Sequence, residues 1–300
     1  MALQEQTLFG EVDKEQKAIE RIKSFSAMAQ DNHENGYYVA ISGGKDSSVI
    51  QQLCIMSGVK CEFVHNLTTV DHPETIKFVR QEKERVEKLG YKFTISYPTN
   101  SKGEHISMRS EIAKRGLPSM MHRWCCAIFK EREGGNRYVI TGVRWSESAK
   151  RKNKRGAYEI LGKNKLILNN DNDMKRQMTE RCIKKGKFVL NPIIDWEDTD
   201  VWEFIKKYNL PYNPLYNKGH KRIGCVGCPM SNKNGEELEA NPQFKKMYMN
   251  AGAKYLAYKE SKGKAVFESP EMYYNWFTWK YKIPHQDESQ MSFYEEQDIL

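Results

Sequence analysis

No apolar run in the 300 residues approaches the roughly 18 to 20 needed to cross a bilayer. The first residues, MALQEQTLFGEVDKEQ, lack the basic and apolar regions of a secretory signal. These two absences predict a soluble, cytoplasmic protein with no membrane partner. No internal repeat and no coiled-coil heptad pattern is found, and the Walker A spacing GxxxxGK[ST] is missing. A disulfide framework is not expected either. Seven cysteines in a reducing compartment point to metal or thiol chemistry. No residue stands out as a general base. His72, His122 and His220 are candidates, each with a plainer reading as a structural or solvent-facing residue.

What is present begins with ISGGKDSSVI, Ile41 to Ile50. Tyr37-Tyr38-Val39-Ala40-Ile41 reads as a short buried strand. Val49, Ile50, Leu53, Cys54 and Met56 recur at helical spacing, so a helix is expected from near Asp46. Ser42-Gly43-Gly44 then forms the turn between them. Glycine permits a tight turn and close backbone approach to a ligand, and orphan N–H groups at a helix start favour an anion. Lys45 adds charge, and Ser42, Ser47 and Ser48 add hydroxyls. The composition is that of a phosphate cradle. The plainer alternative is a glycine turn with Asp46 as helix N-cap.

Further along, a helix is expected over 11–32, strands near 61–65, 92–96 and 137–141, and a helix over Glu74–Leu89 with Pro73 in its first turn. Strands alternating with helices predict a mainly parallel sheet flanked by helices. Ligands sit beyond the carboxyl ends of such strands. That rule places Ser42–Ser47, the loop at Asp71 and Gly142-Val143-Arg144 on one rim. Between Arg144 and Lys187 there are 14 Lys and Arg against 5 Asp and Glu, which equals the excess of +9 carried by the whole chain. This segment, about 145–187, reads as an irregular basic insertion. It suits a polyanion such as nucleic acid, or is simply solvated surface. A helix near Thr199–Lys207 follows, with Val201, Trp202 and Ile205 facing in. The organisation expected is an N-terminal helix (1–35), a nucleotide-binding domain (36–230) and a helical, aromatic-rich C-terminal region (231–300), whose aromatics are read as packing residues.

Cys125 and Cys126 are adjacent, and Cys225 and Cys228 form a CxxC in GCVGCP. Four thiolates in two close pairs can hold a soft metal. A vicinal pair is an awkward chelate for one tetrahedral zinc, whereas in a [4Fe-4S] cluster each thiolate takes its own iron. Zinc and metal-free thiols remain the alternatives. Cys54 and Cys61 read as small buried hydrophobes. Cys182, among Arg181, Lys184 and Lys185, is either a reactive thiol or a surface cysteine.

With these motifs in one chain, the sequence resembles the phosphoadenosine phosphosulfate (PAPS) reductase family of the PP-loop, or adenine-nucleotide alpha-hydrolase-like, superfamily. The resemblance runs from about 36 to 230. It is carried by ISGGKDSSV, Thr69 to Thr75 (TVDHPET), Arg123-Trp124-Cys125-Cys126 with Lys130, Ile140 to Arg144 with Glu147-Ser148, Asn191-Pro192-Ile193 with Trp196, Asp200-Val201-Trp202, Leu210 to Tyr216 (LPYNPLY) and GCVGCP. It implies a Rossmann-like PP-loop α/β fold binding an adenine nucleotide. Ser42, Gly43, Gly44, Lys45, Asp46 and Ser47 are then expected at the phosphates, together with Asp71 and Arg144 in the nucleotide site. Asp46 is expected to help hold Mg²⁺, Arg144 to neutralise charge developing on the phosphates, and Cys125, Cys126, Cys225 and Cys228 to ligate a [4Fe-4S] cluster.

Two departures point to a branch. Sulfonucleotide reductases use a cysteine near the C-terminus, and none follows Cys228 here. Their PP-loop also tends to be altered, whereas SGGKDS is intact. The expectation is an ATP-dependent, AMP- and pyrophosphate-forming sulfur-transfer enzyme, with the DNA-phosphorothioation type and cluster-dependent tRNA thiolation enzymes as the nearer analogues. Such an enzyme implies a nucleic acid or small anionic acceptor. It also implies a sulfur donor such as a cysteine desulfurase or a thioredoxin-like protein. The alternatives are a PAPS or adenosine phosphosulfate (APS) reductase using a thiol from elsewhere, and a zinc-stabilised nucleic-acid-binding protein that is not an enzyme.

Overall fold

The computed structural model describes residues 3–7, 10–161, 166–168 and 187–278. The N-terminal stretch expected as one helix is four elements. Strands β1 (Gln4–Thr7) and β2 (Gly10–Asp13) pair antiparallel. Helix α1 (Lys14–Ser24) starts where Asp13 accepts from the Glu15 and Gln16 amides, and ends at Phe25 before α2 (Ser26–Asn32). Phe25 is buried against Tyr158 and Phe188, which fixes the break.

Then come β3 (Tyr37–Ala40), α3 (Lys45–Ser57), β4 (Cys61–Asn66), α4 (Pro73–Glu87) and β5 (Lys92–Ser96), close to the expected bounds. Helix α5 (Met108–Arg115) precedes a short α6 (Trp124–Cys126), which runs into a π-helical turn, Ala127–Glu131. Strand β6 (Tyr138–Ile140) follows.

The basic segment departs from the expected irregular insertion. It opens with α7 (Ala149–Lys154), capped by Ser148, and then supplies β7 (Tyr158–Leu161) and β8 (Leu166–Leu168). The apolar residues of YEIL and LIL are strand-forming, and β7 buries Tyr158 and Ile160. Residues 162–165 and 169–186, with Cys182, lie outside the described residues. Strand β9 (Lys187–Leu190), α8 (Asp198–Lys207), α9 (Asn234–Glu239), α10 (Pro242–Ser261) and α11 (Pro270–Phe277) complete the order. Trp279 lies outside the described residues.

The main sheet has the order β5-β4-β3-β6-β9-β7-β8. Its first five strands are parallel; β7 joins β9 antiparallel, and β8 joins β7 antiparallel. This is the Rossmann-like α/β arrangement expected. The chain lays β4 and β5 on one side of β3, then returns to place β6 on the other. The crevice at such a reversal is where α/β sheets bind ligands.

Two compact units are formed. The first comprises Met1–Thr99 and Cys126–Gly224, with the sheet and a core running from Ile22 and Phe25 through Val39 and Phe63 to Trp196 and Phe204. In it α1 and α8 pack on α3, so residues 1–35 belong to this unit rather than standing alone. The second comprises Asn100–Cys125 and Cys225–Leu300. Here α5 packs on α10, and the Tyr273 hydroxyl accepts from the Leu117 amide at 2.6 Å. Tyr248, Tyr273, Tyr274 and Phe277 are buried, while Tyr258 is exposed. The C-terminal helices therefore share their unit with residues 100–125.

Candidate nucleotide site

The carboxyl end of β3 leads into Ser42-Gly43-Gly44. Gly43 has φ +76°, and a Cβ there would lie 2.8 Å from Thr75 Cγ2 and 3.1 Å from Val79 Cγ2. Only glycine fits this turn. At the end of β6, a Cβ on Gly142 would lie 3.0 Å from the Asp46 carbonyl, so the two loops touch through backbone. Helix α3 begins with Gly44 as its N-cap, which brings no side chain to the orphan amides. The N-cap role considered for Asp46 is thus not the one it takes. Asp46 sits inside the first turn, and its carboxylate faces Arg144. Ser47 and Ser48 turn inward and donate to the Gly44 carbonyl at 2.7 and 3.4 Å.

Arg144 is 2% exposed and makes contacts in four directions. Nε donates to Asp46 Oδ1 at 2.6 Å, Nη2 to Asp198 Oδ1 at 2.7 Å, and Nη1 to Ser146 Oγ at 2.8 Å and the Trp196 carbonyl at 3.3 Å. Lys45 Nζ lies 3.1 Å from Asp198 Oδ1 and 3.6 Å from Asp46 Oδ2. Two buried cations and two carboxylates therefore face the start of α3. Burial alone would lower the Arg144 pKa, but Asp46 and Asp198 outweigh it and hold it raised. Burial would likewise raise the Asp198 carboxyl, yet Arg144 and Lys45 hold it below the usual range.

Tyr216 adds an aromatic wall. Its hydroxyl accepts from the Lys45 amide at 2.9 Å, and Lys45 Nζ stands 5.7 Å from its ring centre. Burial first, then Asp46 and Asp198, push its hydroxyl up to about 12. Asn213, wholly buried, donates to the Gly43 carbonyl at 3.1 Å and to Thr75 Oγ1 at 3.0 Å.

Lys45, Asp46 and Arg144 are thus brought together. Asp71 lies on the neighbouring rim loop after β4, where its Oδ2 accepts from the Thr68 amide at 2.8 Å. In that loop Thr69, a β-branched residue, holds φ +64°, a strained conformation. His72 is buried and meets His220 edge-on at 5.5 Å; burial and then His220 lower its pKa. His122 is exposed. His65 went unnoticed in the sequence. It is buried, its Nδ1 lies 2.8 Å from the Ile41 carbonyl and must donate to it, and its Nε2 is a buried acceptor with no partner.

Asp198, Tyr216 and Asn213 were also missed as site residues. The signal available was the LPYNPLY run, whose asparagine and tyrosine follow a helix but serve Gly43 and Lys45, 170 and 171 positions earlier. Asp200, by contrast, is structural: it pairs with Lys14 at 2.8 Å and accepts from the Glu197 amide.

Cys225 and Cys228 share one turn, with the Cys228 amide donating to the Cys225 carbonyl at 3.2 Å, and Tyr248 donates to the Val226 carbonyl at 3.1 Å. Cys125 and Cys126 sit side by side on α6, and all four thiols are partly exposed. The donor set fits a soft metal in its chemistry. Among the described residues, however, no group of three or more His, Cys, Asp or Glu side chains is gathered to hold an ion. Cys54 and Cys61 are buried, as expected, and burial pushes the Cys54 thiol up.

The model of the phosphoadenosine phosphosulfate reductase domain matches residues 36–231. The chain belongs to that family. An uncharacterized protein of Methanocaldococcus jannaschii is 28% identical over 249 residues, which cover 78% of this chain and 51% of that protein. The adenosine 5'-phosphosulfate reductase of Burkholderia cepacia is 23% identical over 227 residues, 74% of this chain and 80% of that enzyme. This family member thus spans about half the length of the first of these relatives. Among solved structures, the PAPS reductase of Candida auris in complex with phosphate aligns with a TM-score of 0.45 and 19% identity, covering 70% of this chain and 88% of that one. No helix among the described residues is long and apolar enough to cross a membrane.

Proposed function

We propose that this family member is an ATP-dependent, AMP- and pyrophosphate-forming sulfur-transfer enzyme. The observation that carries the reading is the pair of carboxylates, Asp46 and Asp198, set against Arg144 and Lys45 at the start of α3. An acceptor oxygen attacks the α-phosphorus of ATP, the bond to the β-phosphate breaks, and pyrophosphate leaves. Charge grows on the leaving group, where the α3 amides, Lys45 and Arg144 meet it. Asp46 and Asp198 would hold Mg²⁺ there together with phosphate oxygens, as that ion prefers one or two carboxylates plus phosphate. A sulfur nucleophile then displaces AMP from the activated acceptor.

Cys125, Cys126, Cys225 and Cys228 would hold the [4Fe-4S] cluster, which would supply a soft site for sulfur. Zinc is the lesser choice for a vicinal pair. The acceptor is anionic, with nucleic acid as the class favoured by the basic residues of α7, Arg151, Lys152 and Lys154. Helix α7 packs on the turn Trp145–Glu147 that directly follows Arg144.

Release of pyrophosphate from ATP, measured with Lys45→Ala and Asp46→Asn, tests the proposal. Release that falls about 100-fold or more in both variants is the expected result. Sulfite from PAPS or APS, without ATP cleavage, would replace it with the second reading, sulfonucleotide reduction. That reading draws on the APS reductases among the relatives.

A further inference from the structure

The 3₁₀ turn Pro214–Lys218 lies across the starts of two helices. Asn213 pins its beginning through the bonds to Gly43 and Thr75, and its Oδ1 accepts from the Leu215 amide at 3.1 Å. Lys218 Nζ meets Glu74 at 2.5 Å, and His220 packs on His72. Between these tethers Tyr216 enters the cradle. Its hydroxyl lies 2.9 Å from the Lys45 amide and 3.3 Å from where a Cβ on Gly44 would stand. A helix whose N-cap is glycine is therefore capped by a tyrosine from elsewhere in the chain.

The Lys45 amide is among the donors that a phosphate at the start of α3 requires. One N–H does not serve two acceptors at full strength. A phenol is a neutral acceptor, and hydrogen bonds to a charged phosphate oxygen are about twice as strong. Trp202, edge-on to Tyr216 at 5.2 Å, holds the ring from the side.

The geometry points to a latch: the Tyr216 hydroxyl and a pyrophosphate oxygen of the nucleotide are alternative ligands of the Lys45 amide, so the strap 213–219 gives up this contact when pyrophosphate seats. The inference rests on reading the cradle as a pyrophosphate site.

Inorganic pyrophosphate, titrated calorimetrically into the full chain and into Tyr216→Phe, tests it. Both proteins are expected to bind, with the variant about five-fold tighter, the effect of removing one competing hydrogen bond. Binding by the variant alone supports the latch more strongly still. Equal or weaker binding by the variant overturns the latch and leaves the cradle standing. Failure of both to bind overturns the cradle and the latch together. Hydrogen exchange gives a second readout on the unmodified protein. The Tyr216 and Gly219 amides, bonded to the Asn213 and Tyr216 carbonyls at 3.1 Å each, are expected to exchange faster with pyrophosphate. Unchanged or slower exchange there overturns the latch.

Discussion

Arg144 Nε donates to Asp46 Oδ1 at 2.6 Å across 98 positions of sequence. The contact joins the loop after β6 to the helix after β3, two strands that are neighbours in the sheet. One guanidinium also reaches Asp198, so a single planar group sets the spacing of both carboxylates. A lysine has the charge but not the fork. Arg144→Lys is expected to lower pyrophosphate release about 100-fold while the thermal midpoint moves by only a few degrees. Parallel assays of rate and melting separate the two effects.

Gly43→Ala places a methyl group against Thr75 and Val79 on a backbone with φ +76°. A loss of about 1–3 kcal/mol in unfolding free energy is expected, together with weaker ATP binding. Urea denaturation and nucleotide titration read the two. A neutral outcome would mean that the turn relaxes more easily than its contacts imply.

Asp195 is held by Arg21 at 2.9 Å and Lys17 at 2.9 Å. Burial would raise its pKa, but these partners outweigh burial and leave it lowered. A carboxylate with a depressed folded pKa contributes in full above its unfolded value, about 3.9, and loses the contribution as pH falls through the folded value. Asp195→Asn should therefore cost about 2 kcal/mol near neutral pH, with the gap to the unaltered protein closing below about pH 4. Unfolding curves measured from pH 7 to 3 check the sign.

Iron, acid-labile sulfide and zinc per chain, on protein purified without oxygen, test the cysteine assignment. About four irons and four sulfides, lost in Cys225→Ser, are expected for a [4Fe-4S] site. One zinc and no sulfide would make the four cysteines a structural clip.

The parallel half of the sheet was legible because each strand there is a short apolar run bounded by polar turns, as YYVAI and FVH show. SGGKDS was legible because its residues act where they stand. The β7–β8 hairpin was not, since YEIL and LIL sit among lysines and asparagines that mask the pattern. Asp198 and Tyr216 were not either. Each has an ordinary local role, in the first turn of α8 and in a 3₁₀ turn, and reaches the cradle only through tertiary contacts. The break at Phe25 was hidden for the same reason: the periodicity of 11–32 is helical throughout, and packing against Tyr158 and Phe188 decides where it stops.

The pairing of α5 with α10 has a practical bearing on how this chain is cut. The family match stops at residue 231, which invites a truncated fragment. Such a fragment would keep 100–125 and discard the helices they pack on, baring Ile112 and Leu117, both buried in the full chain. Exposed apolar surface of that kind favours aggregation. The sequence-defined domain is thus a poor expression boundary, and a shortened form should retain everything through α11.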